Sequence, residues 1–301
     1  MYSISIVTPT FNRGGFLERL YFSLKEQTFK NFEWIIVDDG STDNTMQIVE
    51  QFKEEKEVNI NYIYRKNGGK HRALNDAINI CESEMFFIVD SDDKLKSDAL
   101  EKIINIERTI EEKEKFCGLA GLKSDCEGNL LTNKLDFEIL DSNSIDAIYK
   151  HKLLGDKAEV FYTKVLKKYR FQEFENEKFL TEATLWNKMA NDGYMIRWFN
   201  YIIYEGEYRN DGLTKNSLNL FLKNSKGNLY YLNQESSFKI PIKYKIKHQA
   251  NYFRYGFLSN EKIMYLIKES SCKYLLPITV LMGGLGVIYT KVKLKKLGRC
   301  D

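Results

Sequence analysis

The sequence predicts an α/β fold with a mostly parallel sheet. Short apolar, β-branched segments alternate with segments that carry apolar residues at helical spacing, which is typical of right-handed strand–helix–strand crossovers. Pro9 is expected to end the first strand, and Ser97 to cap the fourth helix. The predicted strands occupy residues 3–8, 32–37, 59–64, 85–89 and 116–122, and the predicted helices residues 16–27, 45–53, 70–81 and 97–115.

Length and composition indicate one large α/β domain with an appendage. The chain has 301 residues, of which 43% are hydrophobic, so a substantial core can form. Its net charge of +3 gives no support for a nucleic-acid partner. The five cysteines are scattered without a CxxC pair, which favours reduced thiols over disulfides or a zinc site. No basic segment followed by an apolar run opens the chain, so we expect no signal peptide and a cytoplasmic active part.

The most informative stretch is residues 86–93, where an apolar strand runs directly into three carboxylates. Open α/β sheets bind ligands at the carboxyl ends of their strands. Asp90 and Asp92, separated by the small Ser91, can converge there on one divalent cation that carries a diphosphate. The alternative is a polar turn that only leads into the next helix.

Loops after other predicted strands carry complementary chemistry. Asn12 and Arg13 offer donors after the first strand, while Asp38 and Asp39 offer acceptors after the second. The glycines at 68 and 69 allow a ligand to approach the backbone at a helix N-terminus, where Lys70 and Arg72 add two positive charges. Both cations could instead belong to a solvated helix face. Together the loops predict a pocket for a nucleoside diphosphate.

These residues carry a resemblance to a known family. The run IVTPTFNR at 6–13 resembles the opening of the family 2 glycosyltransferases, which have the GT-A fold. The segments QTFKNFE (27–33), IVDDGSTDNT (36–45), NGG (67–69), ALN (73–75) and VDSDD (89–93) follow in the family's order. The match is dense over about the first 120 residues and, as a combination, highly specific.

The resemblance implies an inverting transfer of a sugar from a nucleoside-diphosphate sugar to an acceptor hydroxyl, usually with Mn²⁺ or Mg²⁺. It also implies that Asp92 is the closest metal ligand, with Asp90 near the ribose or metal. The diphosphate would lie near Lys70 and Arg72, and Asp39 would accept a hydrogen bond from the base. The full set assigned to the nucleotide and donor is Pro9, Thr10, Asn12, Arg13, Asp38, Asp39, Lys70, Arg72, Asp90 and Ser91.

An inverting transfer needs a general base that removes the proton of the acceptor hydroxyl. Relatives often carry a Glu-Asp pair at the start of a later helix, and Glu182 lies in that context, so it is the predicted base. Ala183 stands where the second acid is often found, and Asp156 is the reserve candidate. The alternative is that Thr181 caps the helix and Glu182 only stabilises its dipole. Many relatives also have a late histidine as a metal ligand, and the segment 205–212 has none.

The chain is divided into a GT-A domain at 1–214, with a nucleotide-binding half (1–122) and an acceptor-binding half (123–214), and a helical region at 215–301. The last region is basic and apolar, and residues 274–290 contain no charged side chain. Three interpretations compete: helices packed on the catalytic domain, interfacial membrane attachment, or a transmembrane helix. The basic rim favours contact of 240–301 with an anionic cytoplasmic leaflet, and therefore a cytoplasmic protein that is peripheral on the inner membrane face.

The predicted function is transfer of a sugar, from a UDP-sugar, onto a glycan or lipid-linked sugar in bacterial surface-glycan synthesis. One alternative is a nucleotidyltransferase that makes the activated sugar, although a Gly-rich phosphate loop would then follow the first strand. Another is a non-catalytic subunit that binds a nucleotide sugar. The intact Asp90 and Asp92 argue against that alternative, while Ala183 and the missing histidine keep it open.

Overall fold

The computed structural model describes residues 2–133, 135–206 and 217–296. They form two compact units. The first contains residues up to 171 together with 188–206, and the second contains 172–187 together with 217–296.

The first unit is built on a nine-stranded mixed sheet. The strands are β1 (Ile4–Thr10), β2 (Phe32–Asp38), β3 (Ile60–Tyr64), β4 (Met85–Ile88), β5 (Lys94–Leu95), β6 (Phe116–Ser124), β7 (Ile139–Ser142), β8 (Lys157–Tyr162) and β9 (Met195–Glu205). The order is β3-β2-β1-β4-β8-β6-β9-β5, and β7 pairs with β9. Strand β8 is antiparallel to both of its neighbours, as are β5 and β7 to β9, whereas β6 and β9 are parallel. The four strands at one side of the sheet, β3, β2, β1 and β4, are parallel to one another.

Helices connect the parallel strands, as the sequence predicts, and helices make up the regular structure described for the second unit. Short 3₁₀ helices also occur at Lys113–Lys115 and Lys273–Leu275. The α-helices are α1 (Gly14–Lys25), α2 (Thr45–Glu55), α3 (Lys70–Ile80), α4 (Ala99–Glu107), α5 (Ser144–Tyr149), α6 (Thr163–Leu166), α7 (Ala183–Asn191), α8 (Ser217–Lys223), α9 (Ser225–Ser237), α10 (Ile242–Leu258), α11 (Ile263–Glu269) and α12 (Leu276–Lys296).

Several predicted bounds differ from the structure by one or two residues, and two differences, at β1 and α4, have a clear physical reason. Strand β1 continues through Pro9 to Thr10, because the parallel register of Pro9 with Val37 is kept despite the missing amide hydrogen. Helix α4 follows Asp98 instead of Ser97 and ends at Glu107. Just beyond it, the Thr109 hydroxyl donates to the carbonyl of Ile106 at 2.6 Å, a local bond that competes with continuation of the helix.

Aromatic packing between α1, α2 and β2 holds the first crossovers on the sheet. The rings of Tyr21 and Phe52 stack with centroids 4.1 Å apart, and Trp34 stacks beside both. The Trp34 indole N–H donates to the Thr8 hydroxyl at 2.8 Å, so this buried polar group is satisfied inside the sheet. The core therefore fixes β1 and β2, whose carboxyl ends carry candidate site residues.

The second unit has its own small core between α9, α10 and α11. Gln249 is fully buried, and its amide nitrogen donates to the Ser236 hydroxyl at 2.6 Å while its amide oxygen accepts from Ser270 at 2.7 Å. The apolar members of this core are Leu229, Leu232, Tyr252, Phe253 and Leu266.

Candidate active site

The predicted donor-site loops meet at one edge of the sheet. Strands β2, β1 and β4 are adjacent and parallel, with Thr10 paired to Asp38 and Val7 to Ile88. Their carboxyl ends therefore point the same way, and the loops that follow them contact one another. This is the arrangement in which open α/β sheets bind ligands.

Asp39 organises the turn that leads into α3. Its buried carboxylate accepts hydrogen bonds from the backbone N–H groups of Gly68, at 2.9 Å, and Gly69, at 2.6 Å, and forms an ion pair with Arg65. Gly69 has a φ of +97°, which a residue with a side chain rarely adopts. Asp39 therefore fixes the glycine turn at the start of α3, and a hydrogen bond to a base would share carboxylate oxygens that already accept these donors.

Asn12 connects the loops after β1 and β2, while Asp38 fixes the start of the second loop beside β3. The Asp38 carboxylate accepts from the backbone N–H of Ser41 at 2.7 Å and from the hydroxyl of Tyr62 at 2.6 Å. Asn12 has a φ of 52°, and its side-chain oxygen accepts from the backbone N–H of Thr42 at 2.8 Å. The predicted donor Asn12 thus also acts as an acceptor that joins the two loops.

Thr10 lies at the end of β1 and is buried. Its hydroxyl oxygen has no hydrogen-bond partner within the part of the chain that the structure describes. A buried hydroxyl is normally satisfied, so a ligand group that completes its hydrogen bonding suits this position. Pro9 precedes it in the same strand.

Each of the two predicted metal ligands is paired with a cation from another loop. The Asp92 carboxylate lies 3.3 Å from the Arg13 guanidinium, and the Asp90 carboxylate lies 2.6 Å from the Lys70 ammonium. Burial alone would raise the pKa of Asp90, but the charges of Lys70 and Lys123 hold it below its ordinary value. Asp90 is therefore a carboxylate near neutral pH.

The donor chemistry of Asp90 and Asp92 fits a hard divalent cation. Their side chains remain 37% and 24% exposed, so oxygen atoms are accessible. Within the described residues, no group of three His, Cys, Asp or Glu side chains could hold a metal. Two carboxylates form only part of an octahedral shell, and Mg²⁺-type sites are commonly completed by substrate phosphates.

Tyr204, near the end of β9, makes two hydrogen bonds to the acidic turn, residues 90–93. Its hydroxyl donates to the Asp93 carboxylate at 2.6 Å and accepts from the backbone N–H of Asp90 at 3.0 Å. The Lys123 ammonium lies 4.0 Å from the centroid of the Tyr204 ring. Burial, with the nearby charge of Asp90, raises the pKa of Asp93 to about 6. Sequence reasoning missed Tyr204 and Lys123, since no local motif marks either residue.

The remaining donor-site residues lie around the same turn. Ser91 is buried in the acidic turn, and Lys70 is the first residue of α3. The backbone N–H of Arg72 donates to the Gly69 carbonyl at 3.0 Å. A Cβ atom at Gly68 would lie 2.9 Å from both the Arg65 guanidinium and the Arg72 side chain, so a larger residue there would displace the two arginine side chains.

The structure places the two candidate bases in different units. Glu182 belongs to the second unit and directly precedes α7, where its carbonyl accepts from the backbone N–H of Leu185 at 2.9 Å. Asp156 belongs to the first unit and directly precedes β8. The structure does not describe residues 207–216. Most of the segment 205–212 and the predicted domain boundary at 214 therefore lie outside the described residues.

Similarity to known proteins agrees with this geometry. Residues 5–129 match the model of the family described as "Glycosyl transferase family 2". A beta-1,3-glucosyltransferase of Campylobacter jejuni, whose name gives GalNAc(5)-diNAcBac-PP-undecaprenol, is 30% identical over 240 residues, which are 74% of this chain and 72% of the relative.

Solved glycosyltransferases share the fold. Staphylococcus aureus TarS (residues 1–349, in complex with UDP-GlcNAc) has a TM-score of 0.63 at 18% identity, covering 99% of this chain and 93% of that one. A mannosyltransferase of Pyrobaculum calidifontis, in complex with GDP-Man and Mn²⁺, has a TM-score of 0.53 at 14% identity, covering 96% and 75%. These likenesses confirm the predicted GT-A fold.

The family model accounts for the loops after β1, β2 and β4, and the Campylobacter relative extends the match over most of the chain. The chain belongs to glycosyl transferase family 2 and is a glycosyltransferase.

Proposed function

We propose that this enzyme transfers a sugar, with inversion, from a UDP-sugar to an acceptor hydroxyl in bacterial surface-glycan synthesis. The observation that carries the proposal is the pairing of Asp90 with Lys70 and of Asp92 with Arg13 at the edge of the sheet. These pairs bring two acids and two cations together where a metal-bound diphosphate needs both.

The proposed metal, Mn²⁺ or Mg²⁺, would be held by Asp92 and Asp90. When bound, it supplies positive charge that stabilises the departing diphosphate. Arg13 and Lys70, which are paired with these carboxylates, would lie beside the phosphate oxygens and neutralise part of their charge. Arg72, in the first turn of α3, adds a third cation at the helix N-terminus.

The nucleoside is proposed to occupy the loops after β1 and β2. Thr10 contributes a buried hydroxyl that lacks a protein partner among the described residues. The backbone N–H of Asn12 donates to the Ser41 hydroxyl, which joins the two loops, and Ser41 in turn donates its own N–H to Asp38, so the protein's own hydrogen bonds shape this part of the pocket. Asp39 is proposed to accept a hydrogen bond from the base. Its carboxylate also accepts the backbone N–H of Gly69 and so fixes the glycine turn. A preformed pocket loses little conformational freedom when the nucleotide binds.

Glu182 is proposed as the general base that takes the proton of the acceptor hydroxyl. It stands directly before α7, and its side chain supplies a carboxylate, the kind of group that can accept the proton of a hydroxyl. Asp156, before β8, remains the reserve candidate.

The acceptor is proposed to be a glycan or lipid-linked sugar at the cytoplasmic face of the membrane. The name of the Campylobacter relative, which includes an undecaprenol carrier, supports a lipid-linked acceptor. Membership of a glycosyltransferase family argues against the alternative of a nucleotidyltransferase. A measurement of sugar transfer distinguishes an enzyme, which transfers the sugar, from a non-catalytic subunit, which only binds the nucleotide sugar.

A panel of nucleoside diphosphates tests the donor class. Thermal unfolding is measured with UDP, GDP, ADP and CDP, each with and without Mn²⁺. A ligand that binds only the folded state raises the melting temperature. We expect the largest rise with UDP and Mn²⁺. A larger rise with another nucleotide would replace UDP as the donor nucleotide, and no rise in a cooperatively folding sample would contradict the proposed pocket.

A further inference from the structure

Helix α12 has its small residues inside and its large apolar residues outside. Thr279 and Thr290 are buried, with 0% and 3% exposure. A Cβ atom at Gly283 would lie 2.6 Å from the Cβ of Phe253, and one at Gly286 would lie 2.9 Å from the side chain of Arg254. The two glycines therefore allow the backbone of α12 to approach α10 closely.

The opposite face of α12 is exposed and apolar along most of its length. Its large side chains recur at intervals of three or four residues, so they lie on one side of the helix. A continuous exposed apolar face of this kind marks a protein or membrane contact. The exposed residues are Ile278 (46%), Leu281 (64%), Leu285 (58%), Ile288 (62%), Tyr289 (66%) and Val292 (50%).

Charge favours an anionic partner for this face. Residues 274–290 carry no charged side chain, but Lys273 precedes them and Lys291 and Lys293 follow. From residue 240 to 301 the chain has twelve Lys or Arg and three Asp or Glu, whereas the rest has 33 basic and 39 acidic residues. An apolar face with a basic surround matches a membrane surface that contains anionic lipids.

Contacts with α10 favour a helix that lies in the membrane plane. Residues Lys273–Leu294 are long and apolar enough to cross a bilayer. However, the Arg254 guanidinium of α10 donates to the Thr290 hydroxyl at 2.9 Å. Lys243 and Lys247 of α10 line a cavity of about 410 Å³ together with Gly286 of α12. A crossing helix that kept these contacts would draw three cations toward the hydrocarbon, which is costly.

We propose that α12 lies flat on an anionic lipid surface, with its exposed apolar face among the acyl chains and its flanking lysines at the headgroups. The inference deepens the proposed function, because a lipid-linked acceptor would be presented at this surface. It does not depend on catalysis, however, and UDP binding can be measured on the same samples.

The test is binding of the full chain to vesicles of phosphatidylcholine alone or with 30% phosphatidylglycerol. We expect binding to the anionic vesicles that Leu285→Glu weakens at least tenfold. Leu154→Glu is the matched control, since Leu154 is 55% exposed in the first unit, and it should bind as the wild type does. Both variants must unfold cooperatively and retain the thermal shift with UDP, which separates failure of this inference from failure of the proposed function.

Three outcomes would overturn the inference. Equal binding by Leu285→Glu and the wild type would show that the α12 face is not the contact. Protein that remains in the vesicles after alkaline carbonate extraction would show a spanning helix. A wild-type dimer in solution that Leu285→Glu converts to a monomer, without lipid binding by either, would show that a second copy of this chain covers the face.

Discussion

The hydroxyl of Tyr204 donates to the carboxylate of Asp93 at 2.6 Å, and it joins the last strand of the sheet to the turn that carries the metal-binding candidates. The same hydroxyl accepts from the backbone N–H of Asp90. One side chain therefore bonds to both ends of the turn 90–93. These bonds fix the backbone from which the side chains of Asp90 and Asp92 extend.

Replacing Tyr204 by Phe should destabilise the protein and loosen the turn. The ring beside Lys123 is kept, while the buried Asp93 carboxylate and the Asp90 N–H each lose a partner. A lost buried partner costs about 1–3 kcal/mol. Denaturant unfolding should show this loss, and the Mn²⁺ concentration for half-maximal activity should rise. Unchanged stability and unchanged Mn²⁺ dependence would show that the bonds do not position the turn.

Asp92→Asn should abolish metal-assisted turnover and leave the fold intact. The substitution keeps the shape of the side chain but removes the charge that a divalent cation requires. Sugar transfer from a UDP-sugar is measured over a range of Mn²⁺ concentrations, with the exposed Glu114→Gln as a control that should behave as the wild type. Wild-type activity of Asp92→Asn in Mn²⁺ would remove Asp92 from the metal site.

Glu182→Gln should retain UDP binding but lose transfer by about a hundredfold or more, because a general base contributes on that scale. Asp156→Asn, measured in parallel, should keep most of its activity. The reverse pattern, an active Glu182→Gln and an inactive Asp156→Asn, would assign the base to Asp156.

The low pKa of His248 predicts that the protein loses stability in acid. Burial, with the neighbouring charge of Lys247, lowers the pKa of His248 from 6.5 to about 4. The unfolded chain then takes up a proton below pH 6.5 that the folded chain does not, so stability falls between pH 6.5 and 4, by about 1–3 kcal/mol. His248→Gln should lose less stability over this range in denaturant unfolding. Parallel pH profiles for the variant and the wild type would contradict the low pKa.

The meeting of the acidic and basic loops at one edge of the sheet could be predicted from the sequence, because each loop follows a recognisable strand; their role in donor binding stays a prediction. Asp38 and Asp39 lie at the end of β2, Asp90 and Asp92 lie just beyond β4, and adjacent parallel strands bring such ends together. The pairing of Arg13 with Asp92 was not readable, because it joins residues 79 positions apart through the packing of two loops.

Tyr204 and α12 are two features of the structure that local sequence patterns do not predict. Tyr204 reaches Asp93 across 111 residues, through the pairing of β9 with β5 and β6, and no motif encodes that register. In α12 the sequence shows an uncharged apolar segment, and only the structure shows that the side with Gly283 and Gly286 lies against Phe253 and Arg254 of α10. The structure adds to the sequence which side chains of this helix are exposed, and the choice among the three interpretations is left to the vesicle-binding test.

The measurement that tests the central claim most directly is the affinity for UDP with and without Mn²⁺, in the wild type and in Asp92→Asn. If the acids hold a metal that carries the diphosphate, Mn²⁺ should tighten UDP binding by the wild type about tenfold or more, equivalent to about 1.4 kcal/mol. In Asp92→Asn this gain should disappear, while metal-free binding of UDP persists. Equal tightening by Mn²⁺ in both proteins, or no UDP binding by the folded wild type, would contradict the account.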